Sequence, residues 1–192
     1  LIDIAQLVGN YSQLGYGYNN VAMIEGELGN VDKEIEYYEK SLEAFYRINE
    51  VYGIANTKIN LGTTLNNMGE HERAIKNLSE AYESFLSMDN SNGVADALTI
   101  WAQVLLSTGD FNGALNLLNE SDLYCQKYGL TLQQKANDQI YYQVYQALGQ
   151  KDKAFDYLLS YHQDFKESRE SEHLSLIADM KESYEAEKKE QE

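Results

Sequence analysis

Apolar residues along this chain recur three or four positions apart, and the stripes they form stop and restart on a fixed schedule. Ile35, Tyr38, Leu42 and Phe45 make one stripe, and Ile75, Leu78, Tyr82 and Phe85 repeat it 40 residues later. This spacing gathers side chains on one face of an α-helix; a half-buried strand would alternate at every second residue. A second kind of stripe precedes each of these, with a small residue at its centre. Examples are Tyr18, Val21, Ala22, Ile24 and Leu28; Ile59, Leu61, Gly62, Leu65 and Met68; and Leu98, Trp101, Ala102 and Leu105. The alternation continues through Phe111, Ala114, Leu115 and Leu118, then Ile140, Tyr141, Tyr145 and Leu148, then Ala154, Phe155, Leu158 and Tyr161. The pattern predicts pairs of amphipathic helices, A then B, and no strands.

The break inside each pair carries a glycine: Gly29, Gly69, Gly109 and Gly149, 40 residues apart every time. Glycine enters the left-handed region without a Cβ clash, which suits the position just past a helix C-terminus. Asn30 and Asp110 follow as natural N-caps, because their side-chain oxygens accept from first-turn amides. The run Met88, Asp89, Asn90, Ser91, Asn92 and Gly93 is dense in turn formers and predicts a connecting loop. Full repeats fall at about 13–50, 51–92, 93–132 and 133–170, so residues 1–170 form one repeat array. Residues 1–12 form a partial repeat: shifted by 40, residues 1–8 land on the end of a B helix. The expectation is a piece cut from a longer protein, with at least one repeat upstream. Residues 171–192 predict a capping or exit helix, with Leu174, Ile177 and Tyr184 on one face before the text becomes wholly charged.

These residues resemble the tetratricopeptide repeat family. The match lies in the small residue on helix A (Ala22, Gly62, Ala102), the turn glycines, the small residue opening helix B (Ala74, Ala114, Ala154), and the larger residue beyond it (Tyr38, Leu78, Leu118, Leu158). Glu34 departs from it where a small residue is expected, as do Tyr142 and Tyr161. The period exceeds the family's usual length of about 34 residues, which is assigned to longer helix ends and longer A–B connections. HEAT and armadillo repeats share the longer period but lack the glycine and small-residue phrase. The resemblance implies an all-α, right-handed superhelical solenoid of antiparallel helix pairs, closed by the C-terminal helix.

It also implies a concave groove lined by helix A. Carried over by phase, the lining residues are Asn19, Asn20, Met23, Asn60, Thr63, Asn66, Asn67, Thr99, Gln103, Gln139, Gln143 and Gln146. Amides both donate and accept, so such a surface pairs with the backbone of an extended peptide. Family members that clamp the C-terminal carboxylate of chaperone tails set Lys and Arg beside Asn. Those basic residues are missing at these phases, so a chaperone tail is not the expected partner.

Composition narrows the partners further. The chain has 192 residues, no proline and a net charge of −16. An acidic chain is repelled by phosphate backbones and anionic lipid, so the expected partner is a protein or peptide, not nucleic acid or a membrane surface. The longest apolar runs fall well short of a membrane span. Cys125 sits among Leu123, Tyr124 and Tyr128 and is expected as a small buried residue. His71 and His162 are expected at the surface. No metal-ligand spacing, phosphate loop or acid/base pair stands out, so the segment is expected to have no cofactor and no catalysis of its own.

The phrase Leu174, Ile177, Ala178, Asp179, Met180 and Tyr184, followed by the Glu and Lys run, is similar to the exit helix of bacterial sensor histidine kinases and diguanylate cyclases with N-terminal repeat arrays. That resemblance implies a sensory or regulatory segment on the extracytoplasmic (periplasmic) side of a membrane-anchored signalling protein. A homodimer through the C-terminal helix is compatible with it. The alternative is a free-standing cytoplasmic adaptor or scaffold.

Overall fold

The computed structural model describes residues 9–163 and Lys181. Eight α-helices and no strands occur among the described residues: α1 (Tyr11–Glu27), α2 (Val31–Arg47), α3 (Val51–Asn67), α4 (His71–Ser87), α5 (Ser91–Thr108), α6 (Phe111–Tyr128), α7 (Thr131–Ala147) and α8 (Lys151–Gln163). The expectations for residues 1–8 and for the C-terminal helix lie outside the described residues. The chain divides into two compact units, residues 1–134 and 135–192, with the division falling inside α7.

One turn is used throughout, and it explains the long repeat. Left-handed residues occur at Gly9, Gly29, Asn49, Gly69, Asp89, Gly109, Gly129 and Gly149, one every 20 positions. At each of the A–B and B–A links from 29 to 109, that residue's N–H returns three residues and the next N–H returns five, as in Asn30 N to Glu25 O at 2.8 Å and Glu50 N to Phe45 O at 3.1 Å. This Schellman closure satisfies the last carbonyls of one helix. The residue that completes it then serves as N-cap of the next helix. Asn90 and Asp110 accept from the amides of Gly93 and Gly113 at 3.0 and 2.9 Å, and Glu50 accepts from Gly53 at 2.6 Å.

Three expectations are corrected here. The longer period does not come from longer connections, which are two or three residues at both kinds of link; it comes from helices of 17 or 18 residues. The loop expected over 88–93 ends at Asn90, and Ser91, Asn92 and Gly93 are the first turn of α5. Asn30 occupies an N-cap position but makes no side-chain cap bond; its amide donates to Glu25 Oε2 at 2.8 Å instead.

In the first unit α1/α2, α3/α4 and α5/α6 are hairpins, and each B helix packs on the next A helix, α2 on α3 and α4 on α5. The A helices also touch one another, α1 with α3 and α3 with α5, while the B helices stand further apart. The A helices therefore form an inner layer. Close crossing rests on the small residues: Ala22, Ala74, Ala102 and Ala114 are fully buried, and a Cβ on Gly62 would lie 2.8 Å from Leu78 Cγ. Glycines inside helices do a second job. The Phe45 ring lies where a Cβ on Gly15 or Gly53 would sit, 2.5 and 2.6 Å away, so a full aromatic ring fits between α1 and α3.

Glu34, the departure from the small-residue rule, is accommodated by Gly26: a Cβ there would come within 2.7 Å of Glu34 Cδ. Its carboxylate accepts from Thr64 Oγ1 of the next hairpin at 2.6 Å. Cys125 is buried against Ser121. In the second unit Tyr141 and Tyr145 of α7 stack with Tyr157 of α8 at centroid distances of 4.4 and 5.6 Å, and Ser160 donates to Asp138 at 2.6 Å.

Candidate functional site

The expected groove residues fall into two groups. Asn19, Asn20, Met23, Asn60, Thr63, Asn66, Asn67, Thr99 and Gln103 belong to the first unit, on α1, α3 and α5. Gln139, Gln143 and Gln146 belong to the second unit, on α7.

In the first unit two of the amides meet. Asn60 Nδ2 donates to Asn19 Oδ1 at 3.1 Å, which ties α3 to α1 across the inner layer. Asn19 in turn makes a long contact from Nδ2 to Met23 Sδ, 3.8 Å. Asn20, Met23, Thr63 and Asn67 are exposed, and Gln103 is half-buried. Thr63 folds back onto the Ile59 carbonyl at 3.0 Å. Asn66 is engaged at the α3–α4 turn, where its Oδ1 lies 3.0 Å from His71 Nδ1. His71 and His162, both expected at the surface, are half-buried, and His162 sits edge-on to Tyr161.

Thr99 departs from the expectation. It is buried, donates to the Ala95 carbonyl at 2.8 Å and meets Ser121 Oγ of α6 at 3.1 Å. Its phase carries it towards the B helix of its own hairpin, so it seals that interface and lines no open surface. The same register joins α1 and α2, where Ser41 Oγ donates to the Gly15 carbonyl at 2.8 Å. In the second unit Gln139 and Gln146 are exposed, and Gln146 donates to Tyr142 Oη at 3.1 Å. Gln143 Oε1 is buried without a hydrogen-bond partner, an acceptor with unspent capacity.

The N-terminal end of the same surface holds residues outside the expected set. Tyr16 and Tyr52 are 44% and 46% exposed, and Glu50 lies with them. Tyr16 Oη donates to Glu50 Oε2 at 3.4 Å. Burial, then the Glu50 charge, raises the Tyr16 phenol above its ordinary range. Tyr16 packs edge-on to Phe45 and Tyr52 edge-on to Phe85, so both rings are held. Asp96, on α5 at the register of Tyr16 two hairpins earlier, accepts from Gln133 Nε2 at 3.0 Å. Burial pushes its carboxyl above the ordinary carboxylate range despite that bond. The signal was present: Tyr16 lies three residues before Asn19, on the same helical stripe.

The charge of this surface is one-sided. The helices α1, α3 and α5 contain one basic side chain, Lys58. It is buried and spent on Glu80 of α4, beneath the Tyr46 ring. Burial works against its charge, but the hydrogen bonds to Glu80 and Tyr46 leave its pKa raised. Among the described residues no group of His, Cys, Asp and Glu is placed to hold a metal ion, and no helix is long and apolar enough to cross a membrane.

The geometry is that of paired helices stacked by repeat, and comparisons with known proteins agree. Tetratricopeptide repeat models match residues 16–45 and 53–121, together just over half of the chain. No curated protein matches it in sequence. The crystal structure of BtubC (BKLC) from P. vanneervenii superposes with a TM-score of 0.69 at 21% identity, covering 84% of this chain and 67% of that one, which is a likeness of fold. Repeat models in register with the observed hairpins, and a helical-repeat fold to match, place this chain in the tetratricopeptide repeat family.

Proposed function

We propose that the inner layer of α1, α3 and α5 binds an extended peptide of a partner protein. Tetratricopeptide repeats are protein-interaction modules, generally without catalysis of their own. The observation that carries this reading is the exposed row Asn20, Met23, Thr63 and Asn67 beside the Asn19–Asn60 bond. The exposed amides of Asn20 and Asn67 offer both donors and acceptors to a peptide backbone, which needs both, and the Thr63 hydroxyl, donating to Ile59, can still accept. The test is peptide capture by the full chain and by a triple variant, Asn20→Ala, Thr63→Ala and Asn67→Ala. These side chains are exposed, so the melting temperature should stay within about 2 °C while binding falls at least tenfold. Unchanged binding would move the site to the B helices.

The wider reading is a sensory or regulatory segment of a bacterial signal-transduction protein, on the extracytoplasmic side of a membrane. Its support is the C-terminal phrase from Leu174 to Tyr184 and the Glu and Lys run after it. The reading requires the gene to encode a membrane span and a histidine kinase or diguanylate cyclase domain downstream. A gene encoding neither would rule it out.

A further inference from the structure

We propose that the corner formed by Tyr16, Glu50 and Tyr52 is a subsite for a lysine or arginine side chain of the bound peptide; this rests on the peptide-binding reading above. The corner lies between the inner helices α1 and α3. Its two tyrosine rings are nearly half exposed, yet each is fixed from behind by a phenylalanine, with ring centroids 4.9 Å apart for Tyr16–Phe45 and 6.1 Å for Tyr52–Phe85. Rings held in this way present π faces at little entropic cost, and a cation near such a face is attracted by the ring quadrupole.

Glu50 supplies the charge. Its Oε2 accepts both the Gly53 amide at 2.6 Å and the Tyr16 hydroxyl at 3.4 Å. Its Oε1 takes no hydrogen bond among the described residues, and no basic side chain pairs with it there. The carboxylate is thus anchored by one oxygen and free to accept at the other. A charge-assisted bond to an incoming ammonium or guanidinium is the strongest contact it can make.

Charge complementarity excludes the opposite ligand. The inner helices hold one cation, Lys58, which is committed to Glu80, so an acidic peptide finds nothing to neutralise it. Asp96, at the register of Tyr16 on α5 and with Oδ1 bonded to Gln133, adds a second carboxylate for a peptide running along the layer. A net charge of −16 adds a long-range pull on basic ligands.

The experiment is selection from a random nine-residue peptide library on the full chain, followed by anisotropy titration of the best binder. Lysine or arginine should be enriched at one fixed position. Replacing that residue by glutamine should weaken binding to the wild-type chain about tenfold, as expected for a charge-assisted contact. The same replacement should cost less than about twofold in the Glu50→Gln chain. That variant keeps an acceptor for the Gly53 amide, and an unchanged melting temperature would show that the N-cap survives. Enriched peptides without a basic residue, or an equal loss in both chains, would overturn the subsite and leave the groove standing. No enriched peptide at all would overturn the groove itself.

Discussion

Asn49 and Asp89 hold the left-handed conformation, at φ of 52° and 51°, where the other turns use glycine. Side chains other than glycine are strained there, with asparagine and aspartate the least so. Asn49→Gly and Asp89→Gly should each stabilise the chain by about 0.5 kcal/mol. Gly69→Ala should cost about 1 kcal/mol, all three read by urea titration. Tyr38 makes a second residue-scale case. The residue is 3% exposed, and burial, then the Glu34 charge, pushes its pKa from 10.0 up to about 12. A group whose pKa rises on folding contributes in full below its unfolded pKa and is lost as pH climbs to the folded one. Stability should therefore fall between pH 10 and 12, and Tyr38→Phe should retain a larger share of its neutral-pH stability at pH 11 than the wild type. Equal fractional losses would show that other groups control the alkaline limit.

At the scale of elements, ring size and glycine are matched across each interface. A Cβ on Gly53 would lie 2.6 Å from the Phe45 ring, so Gly53→Ala should overpack the α2–α3 contact and cost about 1–3 kcal/mol. Phe45→Leu is destabilising by itself, but in the double variant part of the Gly53→Ala cost should disappear, which a double-mutant cycle would detect. Lys58 poses the complementary problem. It stands at the register held by Tyr18 in the first hairpin and Leu98 in the third, and it is buried. Lys58→Ala leaves a cavity and strips Glu80 of its partner; the loss should be about 1–3 kcal/mol, with Glu80 half-exposed limiting it. Lys58→Met keeps the volume and should be close to neutral. A large loss in the methionine variant would mean that the ion pair itself, and not packing, holds α3 to α4.

At the scale of the molecule the charges are sorted by layer. Among the described residues of the first unit, basic side chains lie on the B helices, such as Lys33, Lys40, Arg47, Arg73 and Lys127, and α1, α3 and α5 keep only the committed Lys58. Binding of a basic peptide should therefore weaken with salt, as the screening length shrinks from about 10 Å at 0.1 M to about 3 Å at 1 M. Asp96 gives a contrasting signature. Its raised pKa means that its charge opposes folding: its contribution to stability is fullest below the ordinary carboxylate range and is lost as pH rises through the folded value. Asp96→Asn should raise the melting temperature at neutral pH, with the gain vanishing in acid, while weakening any basic ligand that reaches it. A variant that is both less stable and unchanged in binding would assign Asp96 a purely structural role.

Most of the fold was legible before any coordinates. Periods of three to four residues gave helices, Gly29, Gly69 and Gly109 gave A–B turns, and Ala22, Gly62, Ala74 and Ala102 marked close crossings, because each depends on local sterics that the residue type alone carries. The B–A turns were less legible, since Asn49 and Asp89 take the glycine position and break the visible period. The groove was legible only by phase: Asn20, Thr63 and Asn67 emerge exposed, while Thr99 turns inward against Ser121. A register that is off by a fraction of a turn sends a side chain from a surface into an interface. What the amino-acid order determined was which residues make helices and where they stop. What only the tertiary structure decided was which neighbours share a surface. Tyr16 meets Glu50 and Asn19 meets Asn60 because the next hairpin, 40 residues along the chain, lies within reach of a single side chain, and Lys58 is spent on Glu80 because the B helix of its own hairpin lies as close.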